Sequence, residues 1–145
     1  MTAQQTCRLH ASCVDVEGSG VLITGGSGSG KSTLALQLIA LGARLVADDQ
    51  VKIAASNEGL VASVPEALHG MIEARGIGLL RVPPIEQTRL TVVVDLEQLE
   101  TDRLPPQLMM MILNQPIRQL RRVDGPQFAP ALLQLLKHGA LNPDA

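Results

Sequence analysis

The residues with the clearest chemical meaning are Gly25-Gly26-Ser27-Gly28-Ser29-Gly30-Lys31-Ser32, a complete G-x-x-x-x-G-K-[ST] phosphate loop followed by Thr33. Glycines in such a loop let successive backbone N–H groups turn inward around phosphate oxygens, and the start of the next helix adds positive potential. Lys31 is placed to reach the β- and γ-phosphates and the Ser32 hydroxyl to ligate Mg²⁺. Nucleotide binding is therefore expected, although binding alone does not name a reaction. The second signal is Asp48-Asp49, a carboxylate pair behind the apolar run Leu45-Val46-Ala47. Two carboxylates at a strand end can divide the work of holding Mg²⁺ or its waters and of accepting a proton from an attacking hydroxyl. As a lone dipeptide the pair would read as a solvated turn, and its place one helix after the phosphate loop is what favours chemistry. The third signal is Ile72-Glu73-Ala74-Arg75-Gly76-Ile77-Gly78. If this segment is extended, Glu73 and Arg75 project from one side and offer a metal-directed oxygen and a phosphate-directed cation. The alternative is a surface ion pair.

These side chains need a scaffold, and the sequence outlines one. Cys7 to Val16 alternates in part like a strand, Glu17-Gly18-Ser19-Gly20 is rich in turn formers, and Val21 to Thr24 is the expected return strand of a hairpin. The strand enters the glycine-rich loop, and Lys31 to Leu41 follows as a helix of good helix formers, with Gly42 at its C-cap. With Gln37 its one polar residue beyond the first turn, that helix should be buried on most sides. Arg44 to Ala47 reads as a core strand that delivers Asp48 and Asp49; Val51 to Ala55 and Leu60 to Val64 read as a hairpin about Asn57-Glu58-Gly59. Leu79 to Val82 and Leu90 to Leu96 supply further strands, separated by Pro83-Pro84. Phe128, Ala131, Leu132, Leu135 and Leu136 mark one face of a C-terminal helix. Mixed strands around one buried helix make an α/β or α+β domain with a central sheet.

Composition narrows the function classes. The chain has 145 residues, a size suited to one domain across residues 1–145. With 46% hydrophobic and 18% charged residues and a net charge of -2, it offers neither a basic nucleic-acid surface nor a disordered acidic tail. Phe128 is the lone aromatic, which excludes base-stacking modules. No apolar run approaches the roughly 18 to 20 residues that span a bilayer, and the start MTAQQTCRLH lacks a secretory profile, so no membrane partner and a cytoplasmic location are expected. Cys7 and Cys13 lack metal-ligand spacing; they read as reduced thiols on one face of a strand. His10, single and without ligand spacing, reads from the residues alone as a packed or surface imidazole.

The string LHASCVDVEGSGVLITGGSGSGKSTLALQLIALGARLVADDQV, followed by IEARGIGLLRV, resembles the catalytic domain of HPr kinase/phosphorylase, in particular the short alphaproteobacterial form without the N-terminal domain. The resemblance covers roughly residues 7 to 104 and includes Asp102-Arg103-Leu104. It implies an α/β phosphate-loop kinase domain of the HPr kinase/phosphoenolpyruvate carboxykinase type. That fold has a central mixed sheet, a buried helix after the Walker A loop and a C-terminal helix. It further implies ATP- and Mg²⁺-dependent phosphorylation of a serine in an HPr-like phosphocarrier of a phosphotransferase system, with removal by phosphorolysis, and assembly as a hexamer.

Residue by residue, the resemblance makes Asp49 the general base in phosphorylation and the general acid in reverse, and places Lys31 on the transferring phosphate. Ser32 and Glu73 would serve Mg²⁺, with Asp48 supporting that carboxylate cluster. His10 and Arg75 would complete the site, and Arg103 matches an arginine the family uses catalytically. Two departures stand out. Thr33 occupies a position where the family often has an acidic residue, and Gln115-Pro116-Ile117-Arg118-Gln119-Leu120 lacks the glycine and asparagine of the family's PxxxGRN-like segment tied to dephosphorylation. Arg118, Arg121 and Arg122 there read as a solvated basic turn. The competing functions are a small-molecule kinase using the same loop and a non-catalytic ATP sensor that reports through a protein partner.

Overall fold

The structure is a computed structural model that describes residues 5–65 and 69–141. Met1–Gln4, part of the segment read above as carrying no secretory signal, lie outside the described residues. The centre is a hairpin of β2 (Ala11–Val16) and β3 (Ser19–Thr24), turned by Glu17 and Gly18 with φ of 51° and 92°. Two positive φ values in a two-residue loop match the right-handed twist of the strands it joins. On one side β4 (Arg44–Ala47) lies antiparallel to β2; on the other, β9 (Gln87–Leu99) runs parallel to β3. The carboxyl ends of β3, β4 and β9 and the start of β2 consequently meet at one end of the sheet. The phosphate loop leaves β3 there, which is where open α/β sheets bind ligands.

β1 (Gln5–Leu9), β5 (Val51–Ser56) and β6 (Gly59–Ser63) extend the sheet past β9 in the order β1-β5-β6-β9-β3-β2-β4. They curl back over its face, since Ile53, Ala55, Leu60 and Ala62 share one buried cluster with Cys13, Leu22, Val46 and Val93. On the opposite face Val14, Val21, Ile23, Val92 and Val94 pack against α1 (Lys31–Ala40) and α2 (Phe128–His138). Of the ten residues of α1, Thr33, Gln37 and Ala40 are the exposed ones, as expected for a helix buried on most sides. It closes with Ala43 N–H donating to the Leu38 carbonyl and Gly42 N–H to that of Ile39, both at 3.0 Å, the Schellman arrangement. Leu38 is fully buried between helix and sheet. Leu38→Ala should cost about 2–5 kcal/mol of unfolding free energy in a urea titration, the transfer term plus the cavity left behind; a loss below about 1 kcal/mol would mean that the helix is not docked in this way.

Four sequence expectations are corrected. The segment Cys7 to Val16 is not one strand: it breaks at His10, because β1 pairs with β5 while β2 pairs with β3 and β4. Cys7 and Cys13 nevertheless pack against the same cluster, both are free thiols, and burial raises the pKa of each. Arg118, Arg121 and Arg122 do not form a solvated turn. They sit half-buried on β11 (Gln115–Arg122), which pairs antiparallel with β10 (Leu108–Ile112) and parallel with β9. Pro116 hid this strand, yet it lies ahead of the residues Arg118–Arg122 that join β9, where a missing N–H breaks no central ladder. The strand expected at Leu90 to Leu96 extends to Gln87–Leu99, because its first residues pair with β6 before its centre joins β3. Finally, the buried face of α2 is carried by Ala129, Leu132 and Leu133, with Phe128 and Leu136 beside them, and Ala131 is exposed. Among the described residues no helix is long and apolar enough to cross a membrane.

Candidate active site

At the loop end of the sheet lies a cleft of about 510 Å³ lined by residues from five segments. The loop and α1 contribute Ser27, Gly28, Gly30, Lys31, Ser32 and Thr33; the end of β4 contributes Asp48 and Asp49. His10 and Ser12 enter from the bend before β2 and from β2 itself. The remaining wall is a separate two-stranded hairpin of β7 (Met71–Ala74) and β8 (Gly78–Arg81), which supplies Met71, Glu73, Arg75 and Leu79. Ile72 anchors that hairpin in the helical core, so the period of two along β7 turns Met71 and Glu73 the other way. Arg75 follows in the turn, and Glu73 and Arg75 form no ion pair with each other among the described residues.

The two aspartates differ in their surroundings. Asp48 is half-buried and its Oδ1 accepts the Ser12 hydroxyl at 2.6 Å and the Ser32 hydroxyl at 2.8 Å, with Ser32 also 3.1 Å from Oδ2. A carboxylate held by two hydroxyls is a fixed negative charge beside the phosphate-loop serine. Asp49 is exposed in a left-handed conformation with φ 75°, and its carboxylate Oδ1 accepts the His10 Nε2–H at 2.8 Å. Ala11 N–H also donates to the Asp49 carbonyl at 3.2 Å, so the break at His10 and the end of β4 are tied through backbone and side chain alike. Asp49 therefore faces solvent with an open oxygen, oriented by an imidazole.

Lys31 is folded back onto the loop rather than extended into solvent. It is 8% exposed, and its ammonium donates to the carbonyls of Gly25 at 2.8 Å and Gly26 at 3.0 Å. Its charge remains at the mouth of the loop, within the cleft lining. Arg103 is not brought to the site; it lies exposed in the loop between β9 and β10, where the chain has left the sheet. Two site residues escaped the sequence reading. A hydroxyl on a fully buried strand must find an acceptor, so Ser12 was discoverable from its place in β2. Glu97, which accepts the Gly26 backbone N–H, left no local signal.

The donor set suits a hard cation. Among the described residues no three His, Cys, Asp or Glu side chains cluster closely enough to hold a metal by themselves. Mg²⁺ is commonly held by one or two carboxylates with waters and substrate phosphates, which Ser32, Asp48 and Glu73 around a phosphate loop would match. Glu73→Gln should weaken the Mg²⁺ dependence of nucleotide binding more than metal-free affinity, since the amide loses the charge the cation wants. An unchanged Mg²⁺ titration would return Glu73 to a solvated wall.

Known proteins share this architecture. The sequence model of the family described as HPr Serine kinase C-terminal domain matches residues 2–121. A Clostridium tetani protein named HPr kinase/phosphorylase is 42% identical over 125 residues, which is 78% of this chain and 41% of that protein. One of the same name from Geobacillus sp. is 45% identical over 100 residues, 63% of this chain and 32% of that protein. The chain thus spans less than half the length of these relatives. The solved structure of the Hpr(Ser) kinase/phosphatase from Coxiella burnetii superposes with a TM-score of 0.78 at 27% identity, covering 90% of this chain and 94% of that one. With the family's model matching most of the sequence and the fold shared, the chain belongs to the HPr serine kinase C-terminal domain family.

Proposed function

We propose that residues 1–145 form one catalytic domain, a cytoplasmic ATP- and Mg²⁺-dependent serine kinase acting on an HPr-like phosphocarrier protein. The observation that carries this reading is the unequal pair of aspartates: Asp48 bound to Ser12 and Ser32, Asp49 open and bound to His10. Phosphoryl transfer is mostly positioning and charge neutralisation, with one proton to remove. The loop N–H groups and Lys31 would hold the ATP phosphates. Bound Mg²⁺ would neutralise charge on them, with Ser32, Asp48 and Glu73 as its protein-side oxygens. Asp49 takes the proton of the acceptor serine as that oxygen bonds to the γ-phosphorus and the bond to the β–γ bridging oxygen breaks, leaving ADP. Arg75, on the opposite wall, would meet the transferring phosphoryl group.

In phosphorolysis the same carboxyl, once protonated, gives its proton to the serine oxygen as inorganic phosphate bonds to the phosphoserine phosphorus and the bond to that oxygen breaks, leaving pyrophosphate and free serine; the family resemblance is what supports this direction. Assembly with other copies, hexameric in the family, and a catalytic part for Arg103 rest on that resemblance too. The test is direct. The pure protein is incubated with Mg-ATP and candidate HPr-like carriers, and the modified residue is located by mass spectrometry. One phosphoserine on a carrier is the expected result; ATP binding without transfer to any carrier would overturn the kinase reading in favour of a sensor.

A further inference from the structure

Gly26 is gripped on both of its flanking peptide groups. Its carbonyl accepts the Lys31 ammonium at 3.0 Å and the Ser29 N–H at 3.1 Å, while its own N–H donates to Oε1 of Glu97. A Cβ at position 26 would stand 2.8 Å from that carboxylate oxygen, so any larger residue there would push the exposed end of Glu97 off the Gly26 N–H. Glu97 is itself aimed. It follows the stretch of β9 paired with β3, and its N–H donates at 2.9 Å to Oδ1 of Asp95, whose Oδ2 accepts Gln98 Nε2 at 3.0 Å and Gln119 Nε2 at 3.4 Å. Through Gln119 this chain of bonds reaches β11, which runs parallel to β9.

A free carboxylate beside an anion-binding loop opposes the ligand electrostatically, so its presence needs a compensating role. The Gly26 N–H is spent on Glu97 rather than turned toward phosphate, which leaves the contact a structural one. We propose that Glu97 is a positioning residue that fixes the first turn of the phosphate loop, so that the later N–H groups are already arranged when nucleotide arrives. Prearranged donors bind more tightly because less ordering remains to be done on binding. This inference rests on the nucleotide-binding reading of the loop.

The side chain is exposed, so its replacement leaves the fold intact. Glu97→Ala removes the acceptor; Glu97→Gln keeps an acceptor oxygen at the same reach and removes the charge. Two measurements decide the matter: amide hydrogen exchange at Gly26 in the ligand-free protein, and affinity for Mg-ADP by calorimetry, with thermal midpoints as the folding control. The alanine variant should speed Gly26 exchange and weaken Mg-ADP about fivefold, the scale of one hydrogen bond, at an unchanged midpoint. The glutamine variant should bind at least as well as the wild type. Wild-type exchange or wild-type affinity in the alanine variant overturns the proposal, as does a glutamine variant as weak as the alanine one. Should the wild type itself bind no Mg-ADP, the nucleotide reading fails, and Gly26 exchange still decides whether Glu97 anchors the loop.

Discussion

Asp49→Asn is expected to lower phosphoryl transfer to a carrier serine by at least about 100-fold, and by as much as about 10⁴-fold, while ATP affinity moves far less. Asparagine keeps the size and one carbonyl acceptor, so the contact with His10 Nε2–H can persist. What it lacks is the ability to take a proton near neutral pH. The surroundings sharpen this expectation: Asp48 already accepts from Ser12 and Ser32, whereas the Asp49 side chain is 69% exposed with His10 as its polar side-chain partner. Single-turnover transfer and nucleotide affinity, measured on the same preparation, separate the two effects. Near-wild-type transfer in the variant would strip Asp49 of the proton-acceptor role. A fall in thermal stability with activity retained in the folded fraction would make it a structural residue instead.

Lys31 carries the second large effect, and the structure changes how it should be tested. Because its ammonium is buried against the Gly25 and Gly26 carbonyls, Lys31→Ala would remove phosphate charge, loop support and packing together. Lys31→Met keeps the apolar stem and isolates the charge. Mg-ATP affinity should fall about 10- to 100-fold, the range of a charge-assisted hydrogen bond worth about 1.5–3 kcal/mol, and turnover should fall with it. Gly25 is half-buried and Gly26 exposed, so water can reach the freed carbonyls and the thermal midpoint should shift by only a few degrees. A methionine variant that binds Mg-ATP as tightly as the wild type would show that the loop does not hold phosphate through this side chain.

Local sequence was enough for everything that depends on neighbours along the chain. The phosphate loop is one continuous stretch whose glycine spacing carries its own geometry; α1 announces itself through composition and Gly42, and the apolar run Leu45-Val46-Ala47 pointed to Asp48 and Asp49 at a strand end. The family resemblance extended this to His10, which no local pattern singles out, and for Glu73 it favoured a metal-directed oxygen over a surface ion pair. Tertiary structure alone decided which aspartate is held and which is open, because that depends on Ser12 and His10, 36 and 39 residues away. It also turned three arginines from a supposed turn into a strand beside β9, since pairing energy comes from a partner strand that the segment's own pattern does not reveal. Glu97 shows the limit most plainly. A single glutamate near the end of a strand carries no period and no motif, and it acquires a meaning only when parallel pairing of β3 with β9 sets it against Gly26, 71 residues away in sequence.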